Sequence, residues 1–311
     1  MSEKPRVLRN ESLRRYTSWR VGGPADLLCR PASLEELQMF LAEIPLEMPV
    51  TWLGLGSNVL VRDGGIRGAV ICTSGMPRLI ERVDAGKDAR GRTAQGAVAD
   101  ASLVRAGAGV PCATLARRCV RWKLGPAAFF AGIPGSVGGA LAMNAGAFGA
   151  ETWERVESVV TIDRAGVLHD RGRAEYEVGY RRVTGPPGEW FVGAVFAFES
   201  NRDGEALAMK ELLEARGASQ PLGRPNAGSV FRNPAGDFAG RLIEAAGLKG
   251  QRHGGAVVSE KHANFIINDG QATAADVEEL IETVRRTVEQ RMGVSLELEV
   301  RVLGVPAGDR A

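Results

Sequence analysis

Polar and apolar positions along the chain follow two regimes. In the last third the periods are regular. "TAADVEELIETVRRTVEQRMG" sets Val277, Leu280, Ile281, Val284 and Val288 on one face of a helix, with Thr273 as its cap and Gly293 as its stop. "DFAGRLIEAAG" predicts a shorter helix, with Asp237 as N-cap and Gly247 at the end. "NFIIN" reads as a short buried strand. "SLELEVRVLG" alternates strictly, predicting a strand with Leu296, Leu298, Val300 and Val302 on one face and Glu297, Glu299 and Arg301 on the other.

Earlier in the chain the periods are shorter and broken by turns. Ser33 with Glu36 three residues on forms a capping box that opens a helix over "SLEELQMFLAEI". "PVTWLGLG", "NVLV" and "GAVICT" read as strands around the turn "RDGG". "ASLVRAGAGV" predicts a strand, and "PCATLARRCVRWKL" a helix with a proline start. Up to about residue 200, β runs such as "ESVVTID" and "FVGAVFAFE" alternate with "DRAG" and "GPPG" turns. The expectation is an α+β chain with a largely antiparallel part and a boundary near residue 203: domain 1–203, then domain 204–311. No internal repeat is visible.

Composition narrows the function classes. The 311 residues suffice for two domains, and 44% hydrophobic with 24% charged residues is ordinary for a globular protein with a real core. A net charge of +2 argues against nucleic acid or a membrane surface as the main partner. Cys29, Cys72, Cys112 and Cys119 form no CxxC pair and read as reduced, buried thiols rather than a disulfide frame or zinc site. The polar start "MSEKPRVLRNESLRR" does not resemble a secretory signal, so a cytoplasmic location is expected. The uncharged stretch Leu124–Ala150 is long enough to cross a bilayer. Its prolines, glycines and Asn144 make it instead a buried glycine-rich loop system.

Glycine is the outlier, with 40 residues, about twice the usual share. "GLGSN" follows a strand, yet "VLV" and a "DGG" turn come next where a Rossmann fingerprint requires a helix. Backbone amides in a tight glycine turn can still form an anion-binding nest. "GLGSN" and "GIPGSVGGA" together suggest a large diphosphate ligand, although each alone is more often simply a turn. In "NAGSVFRNP", Ser229 could be half of a nucleophile elbow or a hydroxyl in a turn.

Taken in order, "YTSWRVGGPAD", "GLGSNVLVRDGG", "GIPGSVGGALAMNAGAFG", "NAGSVFRNP", "AGLKG", "KHANFIIN" and "LELEVRVLG" resemble the UDP-N-acetylenolpyruvoylglucosamine reductase (MurB) family from about Tyr16 to Gly304. The resemblance implies a two-lobed FAD-binding domain of the vanillyl-alcohol-oxidase type, followed by a smaller α+β substrate-binding domain. It implies non-covalent FAD and NADPH as co-substrate. The substrate would be UDP-N-acetylglucosamine enolpyruvate and the product UDP-N-acetylmuramate, with no nucleic acid, membrane insertion or obligate protein partner. The flavin loops would contribute Gly54, Gly56, Ser57, Asn58, Val59 and Leu60 from the first, and Gly132, Ile133, Pro134, Gly135, Gly138, Gly139, Ala145 and Gly146 from the second.

The same resemblance implies that Ser229 protonates the carbanionic carbon left by hydride addition, a task that needs no activating histidine. Glu299 would polarise the substrate carboxylate or supply a proton, with Glu297 the alternative on the same face. Arg181 would stabilise the enol-carboxylate, with its neighbour Arg182 as the competing arginine. Asn233, Tyr180, Gln220 and Arg301 are the implied substrate contacts. The sequence departs from the family at Val183, where serine is common, and in "GPAAFFAG", where relatives often carry Gly-Leu-Glu. The short segment between Arg181 and Gly228 resembles the family form without the tyrosine-bearing loop. His169, His253 and His262 read as structural or exposed. Three rivals stay open here. An alcohol-oxidising flavoprotein would be favoured by a covalent flavin, a serine hydrolase needs a histidine base and is colourless, and a nucleotide-sugar binding protein would have lost the chemistry.

Overall fold

The structure is a computed structural model describing residues 6–83, 102–200 and 202–309. The polar first five residues, Ala101 of the expected strand and Asn201 of the expected boundary lie outside the described residues. Along the chain run β1 (Val7–Ser12), β2 (Pro24–Cys29), α1 (Leu34–Glu43), β3 (Val50–Leu53), β4 (Val59–Val61), β5 (Ile66–Cys72), β6 (Ile80–Val83) and β7 (Ser102–Gly107). Next come α2 (Cys112–Arg121), α3 (Val137–Met143), β8 (Gly146–Ala147), β9 (Ala150–Glu151), β10 (Val156–Asp163), β11 (Leu168–Gly172), β12 (Glu177–Gly179), β13 (Arg182–Thr184) and β14 (Glu189–Phe198). The chain ends with α4 (Glu205–Ser219), α5 (Ala239–Ala245), β15 (Arg252–His253), β16 (Ala256–Val258), β17 (Ile266–Asn268), α6 (Ala274–Met292) and β18 (Arg301–Leu303).

Two compact units emerge, each discontinuous in sequence. One gathers Cys29–Leu55 and Ile71–Arg216; the other gathers Leu8–Leu28, Gly56–Val70 and Gly217–Ala311. The last crossing between them falls within α4, at Arg216 and Gly217, and earlier crossings give the second unit segments from the first quarter of the chain.

The first unit is built on an antiparallel sheet in the order β11-β10-β14-β7-β6. α2 and α3 bury Cys112, Leu115, Cys119, Val137 and Leu141 in the same cluster as Val104, Phe196 and Phe198 of that sheet. The uncharged stretch 124–150 supplies Leu124, Phe129, Phe130 and Ile133 to this core, broken into a 3-10 turn and the seven-residue α3. No described helix is long and apolar enough to cross a membrane. Ser33 accepts from the Glu36 amide as expected, while the Glu36 carboxylate returns to the Ala32 amide.

In the second unit α6 covers β15, β16 and β17. Its five apolar positions are all buried, Thr273 and Asp276 form a full capping box, and Gly293 ends it at φ +69°. Two local expectations change. α5 starts at Ala239 with Phe238 in the cap position; Asp237 instead pairs with Arg241, and the Ala239 amide donates to Asn233 Oδ1 at 3.1 Å. The expected long final strand forms a continuous ladder over Arg301–Leu303, beside the three-residue parallel β4, while Leu298 makes an isolated antiparallel bridge to Phe231. Leu298 lies outside that ladder and is 37% exposed, whereas Leu296 and Val300 are buried. All four cysteines are buried.

Candidate active site

In the second unit, three segments distant in sequence meet through their backbones. The Val230 carbonyl accepts from the Glu299 amide at 2.8 Å, and the Arg232 amide donates to the Glu297 carbonyl at 2.9 Å. Asn58 of the first glycine loop donates from Nδ2 to the Glu299 carbonyl (3.1 Å), and its own carbonyl accepts from the Arg301 amide (3.0 Å). Ser229, Glu299, Arg301 and the Asn58 loop are thus tied together. Val59 leads into β4 beside β18, with Leu60 wholly buried in the core, so any flavin contact from Leu60 would be through its backbone.

The turn before Ser229 is built by Asn226. Its Oδ1 accepts from the Gly228 amide (2.9 Å), its Nδ2 donates to the Arg224 carbonyl, and Gly228 takes φ +75°. That is an Asx turn followed by a left-handed glycine. The turn therefore does not require the Ser229 hydroxyl. Beyond it, Asn264 is almost wholly buried and grips Phe231 from both sides, accepting from its amide (2.9 Å) and donating to its carbonyl (2.8 Å). This two-sided clamp fixes the segment carrying Ser229, and residue-type reasoning passed over it.

The two candidate glutamates separate cleanly. Glu297 has a side chain 80% exposed, 3.8 Å from Arg232, whereas Glu299 is half-buried. Asn233 is exposed and occupied with the α5 amide, Gln220 is half-buried near the end of α4, and Arg301 is exposed. His169 pairs with Asp163, His253 is exposed, and burial pushes the His262 imidazole below its usual range beside Phe265.

The first unit brings the other expected residues together. Gly54 and the second glycine loop touch: a Cβ on Gly54 would lie 2.4 Å from Ser136 Oγ, the oxygen that accepts from the Gly139 amide. Gly132 and Gly138 face Phe148 and Ala108 too closely for a side chain, so these glycines serve packing. In the second unit Gly56, at φ +65°, serves packing in the same way against Tyr16. Gly139 differs, since a Cβ there would meet only Ser136 Oγ at 3.7 Å and the residue is exposed. Its open backbone fits close approach by a flat dinucleotide, whereas Ile133 is buried in the core. Gly135 and Ala145 are half-buried in this loop and Pro134 is exposed.

Arg181 sits in the two-residue loop joining β12 and β13, at φ +54°. Glycine or asparagine is usual there, and an arginine in this region costs on the order of 1–2 kcal/mol. Its guanidinium donates to the carbonyls of Asn144 (3.2 Å) and Gly146 (3.4 Å) and lies 5.0 Å from the centre of the exposed Tyr180 ring. Arg182 points to the surface and pairs with Glu177. Arg181 is the arginine held against the second glycine loop.

Comparison with known proteins gives two family matches. Residues 25–171 match an FAD-binding domain, and residues 220–303 match the C-terminal domain of UDP-N-acetylenolpyruvoylglucosamine reductase. A protein named UDP-N-acetylenolpyruvoylglucosamine reductase from Alkalilimnicola ehrlichii is 55% identical over 97% of this chain and 96% of its own length. The chain belongs to the UDP-N-acetylenolpyruvoylglucosamine reductase family. A second protein of that name, from Methylococcus capsulatus, is 54% identical over 96% of this chain and 93% of its own length. The crystal structure of the reductase from Thermus caldophilus superimposes with a TM-score of 0.78 at 35% identity, covering 96% of this chain and all of that one. The α+β fold with an FAD-binding domain is thereby established, and the chain is a flavin-dependent oxidoreductase with FAD as its cofactor.

Within the reductase family, the two departures acquire physical explanations. Val183 stands opposite Val178 across the β12–β13 hairpin, and both pack against the core, so the apolar residue is a cross-strand partner. Where "GPAAFFAG" lacks a glutamate, the buried Glu205 at the start of α4 reaches in and accepts from the amides of Ala127 (3.0 Å) and Ala128 (3.1 Å).

Proposed function

We propose that this chain reduces UDP-N-acetylglucosamine enolpyruvate to UDP-N-acetylmuramate in the synthesis of peptidoglycan precursors, in the cytoplasm. Residues 1–203 are assigned to FAD and residues 204–311 to the UDP-sugar. When bound, FAD would supply the hydride chemistry that links NADPH to the enolpyruvyl group. Gly139 and the neutral donors Ser57 and Asn58 suit the dinucleotide, the remaining flavin contacts coming from the two loops named above. Hydride addition to one carbon of the enol ether leaves charge on its neighbour and on the carboxylate. Arg181 offers a planar fork to that carboxylate as it gains charge. Ser229 donates its hydroxyl proton to the carbanionic carbon. An alcohol is a weak acid, yet a carbanion is basic enough to take its proton without a histidine relay. Glu299 polarises the carboxylate or supplies a proton; Asn233, Tyr180, Gln220 and Arg301 are the substrate contacts.

The observation that carries the reading is the backbone junction joining Val230, Glu299, Arg301 and Asn58, which draws the proposed acid, the proposed carboxylate and a proposed flavin loop to one place. An anaerobic visible titration of the purified protein tests it. The expected result is a yellow protein that bleaches with NADPH and regains its colour with the enolpyruvyl sugar. A colourless protein that takes up no added FAD overturns the flavin part, and bleaching without recovery overturns the substrate.

A further inference from the structure

The second glycine loop holds a residue whose side chain serves neither the sheet nor the hydrophobic core. Asn144 closes α3 in the left-handed region, at φ +45°, and is 1% exposed. Every polar atom of its side chain is committed. Oδ1 accepts from the Trp153 amide (3.1 Å), while Nδ2 donates to the Glu151 carboxylate and to the Gly179 carbonyl (3.2 Å). Its backbone carbonyl accepts from Arg181 Nη1.

These bonds grip Arg181 at both ends. Gly179 is the last residue of β12, from which the Tyr180–Arg181 loop springs. Holding its carbonyl fixes the start of a loop whose second residue sits in a conformation that side chains rarely adopt. Such backbone persists only where its surroundings over-determine it. Holding the guanidinium through the Asn144 carbonyl fixes the other end. The left-handed conformation of Asn144 aims that carbonyl, and asparagine is one of the few side-chain-bearing residues that adopts it readily. Aspartate in its place would lose the donor to Gly179 and set a second carboxylate against Glu151.

We infer that Asn144 is a positioning residue for Arg181, setting the guanidinium for the carboxylate of the reacting enol; this rests on the role proposed above for Arg181. Small misplacement of a group that acts in the transition state costs rate rather than binding, up to about 100-fold per ångström. The variant of choice is Asn144→Gly, which keeps the left-handed backbone and its carbonyl but removes the side-chain hold on the Gly179 carbonyl.

The test is a double-mutant cycle on the two half-reactions of the FAD-loaded enzyme. Asn144→Gly is expected to slow reoxidation by the enolpyruvyl sugar by about 10- to 100-fold, with kcat falling more than KM rises, and to leave flavin reduction by NADPH within about twofold. In an Arg181→Ala background the same change is expected to cost less than about threefold, because residues acting through one another are not additive. An equal loss in both backgrounds, or parent-rate reoxidation by Asn144→Gly, overturns the inference. Parent-rate reoxidation by Arg181→Ala alone overturns instead the role given to Arg181. Should the glycine variant fail to retain flavin, Asn144→Asp, which keeps the volume and the Trp153 acceptor, goes through the same cycle with the same expectations.

Discussion

Glu205 offers the sharpest test of how the flavin-side loop is held. One buried carboxylate oxygen accepts from two buried amides, Ala127 at 3.0 Å and Ala128 at 3.1 Å, while the other end of the group packs on Gly125, where a Cβ would come within 2.3 Å of Oε1. Its field also adds to burial in pushing the Cys119 thiol up to about 12. Glu205→Ala removes the acceptor and leaves both amides unsatisfied in the interior. Each orphaned buried amide costs about 1–3 kcal/mol, so about 2–6 kcal/mol in all. Glu205→Gln keeps one carbonyl oxygen able to take both bonds and loses only charge assistance, about 1 kcal/mol per bond and about 2 kcal/mol together. At about 2–4 °C per kcal/mol, the glutamine variant should melt about 4–8 °C below the parent and the alanine variant further still, by up to about 24 °C. Thermal unfolding followed in parallel by circular dichroism and by flavin release reads both. An alanine variant within about 1 °C of the parent, or a glutamine variant as damaged as the alanine one, would refute the reasoning.

Asn264→Ala should destabilise by about 2–6 kcal/mol, since it orphans the amide and carbonyl of the buried Phe231; denaturant unfolding checks this, and the variant should also reoxidise slowly with the enolpyruvyl sugar because Ser229 rides on that segment. Glu189 is held below the ordinary carboxylate value of 4.5, chiefly by its hydrogen bond from Arg171 and also by Thr161. A carboxylate depressed in the folded state contributes stability that is present above its unfolded pKa and lost as the pH falls through the folded one. Parent stability should therefore fall more steeply below the unfolded value of 4.5 than that of Glu189→Gln, and parallel curves in acid would contradict it. Ser229→Cys should retain part of the turnover, because a thiol can also donate a proton; a folded, flavin-loaded but inactive cysteine variant points to a purely positional role.

How much was legible in advance depended on what kind of residue carried each feature. α6 was readable end to end, since its five buried positions are all aliphatic and both caps are of the expected type. α4 was not: it exposes Leu207 and Leu213, and its buried residue is the glutamate, so hydrophobic period has nothing to find. The last strand was overread because alternation reports side-chain direction, while ladder length is set by the partner, and β4 offers only three residues. The sequence points to Asp237 as the α5 cap, whereas the first α5 amide is held by Asn233. In the candidate site, Ser229, Glu299 and Arg181 could be picked out through the order of short strings, not from their local chemistry. Asn144, Asn264 and Glu205 escaped because asparagine and glutamate read as solvated until the fold supplies their buried backbone partners.

Ser229 is proposed as the proton donor in the second half-reaction. Stopped-flow absorbance of the NADPH-reduced enzyme, mixed anaerobically with UDP-N-acetylglucosamine enolpyruvate, addresses it directly for the parent and Ser229→Ala. Both proteins are expected to bleach with NADPH at similar rates, and the alanine variant to regain its oxidised spectrum at least about 10²–10⁴-fold more slowly. Reoxidation of Ser229→Ala at the parent rate would contradict it.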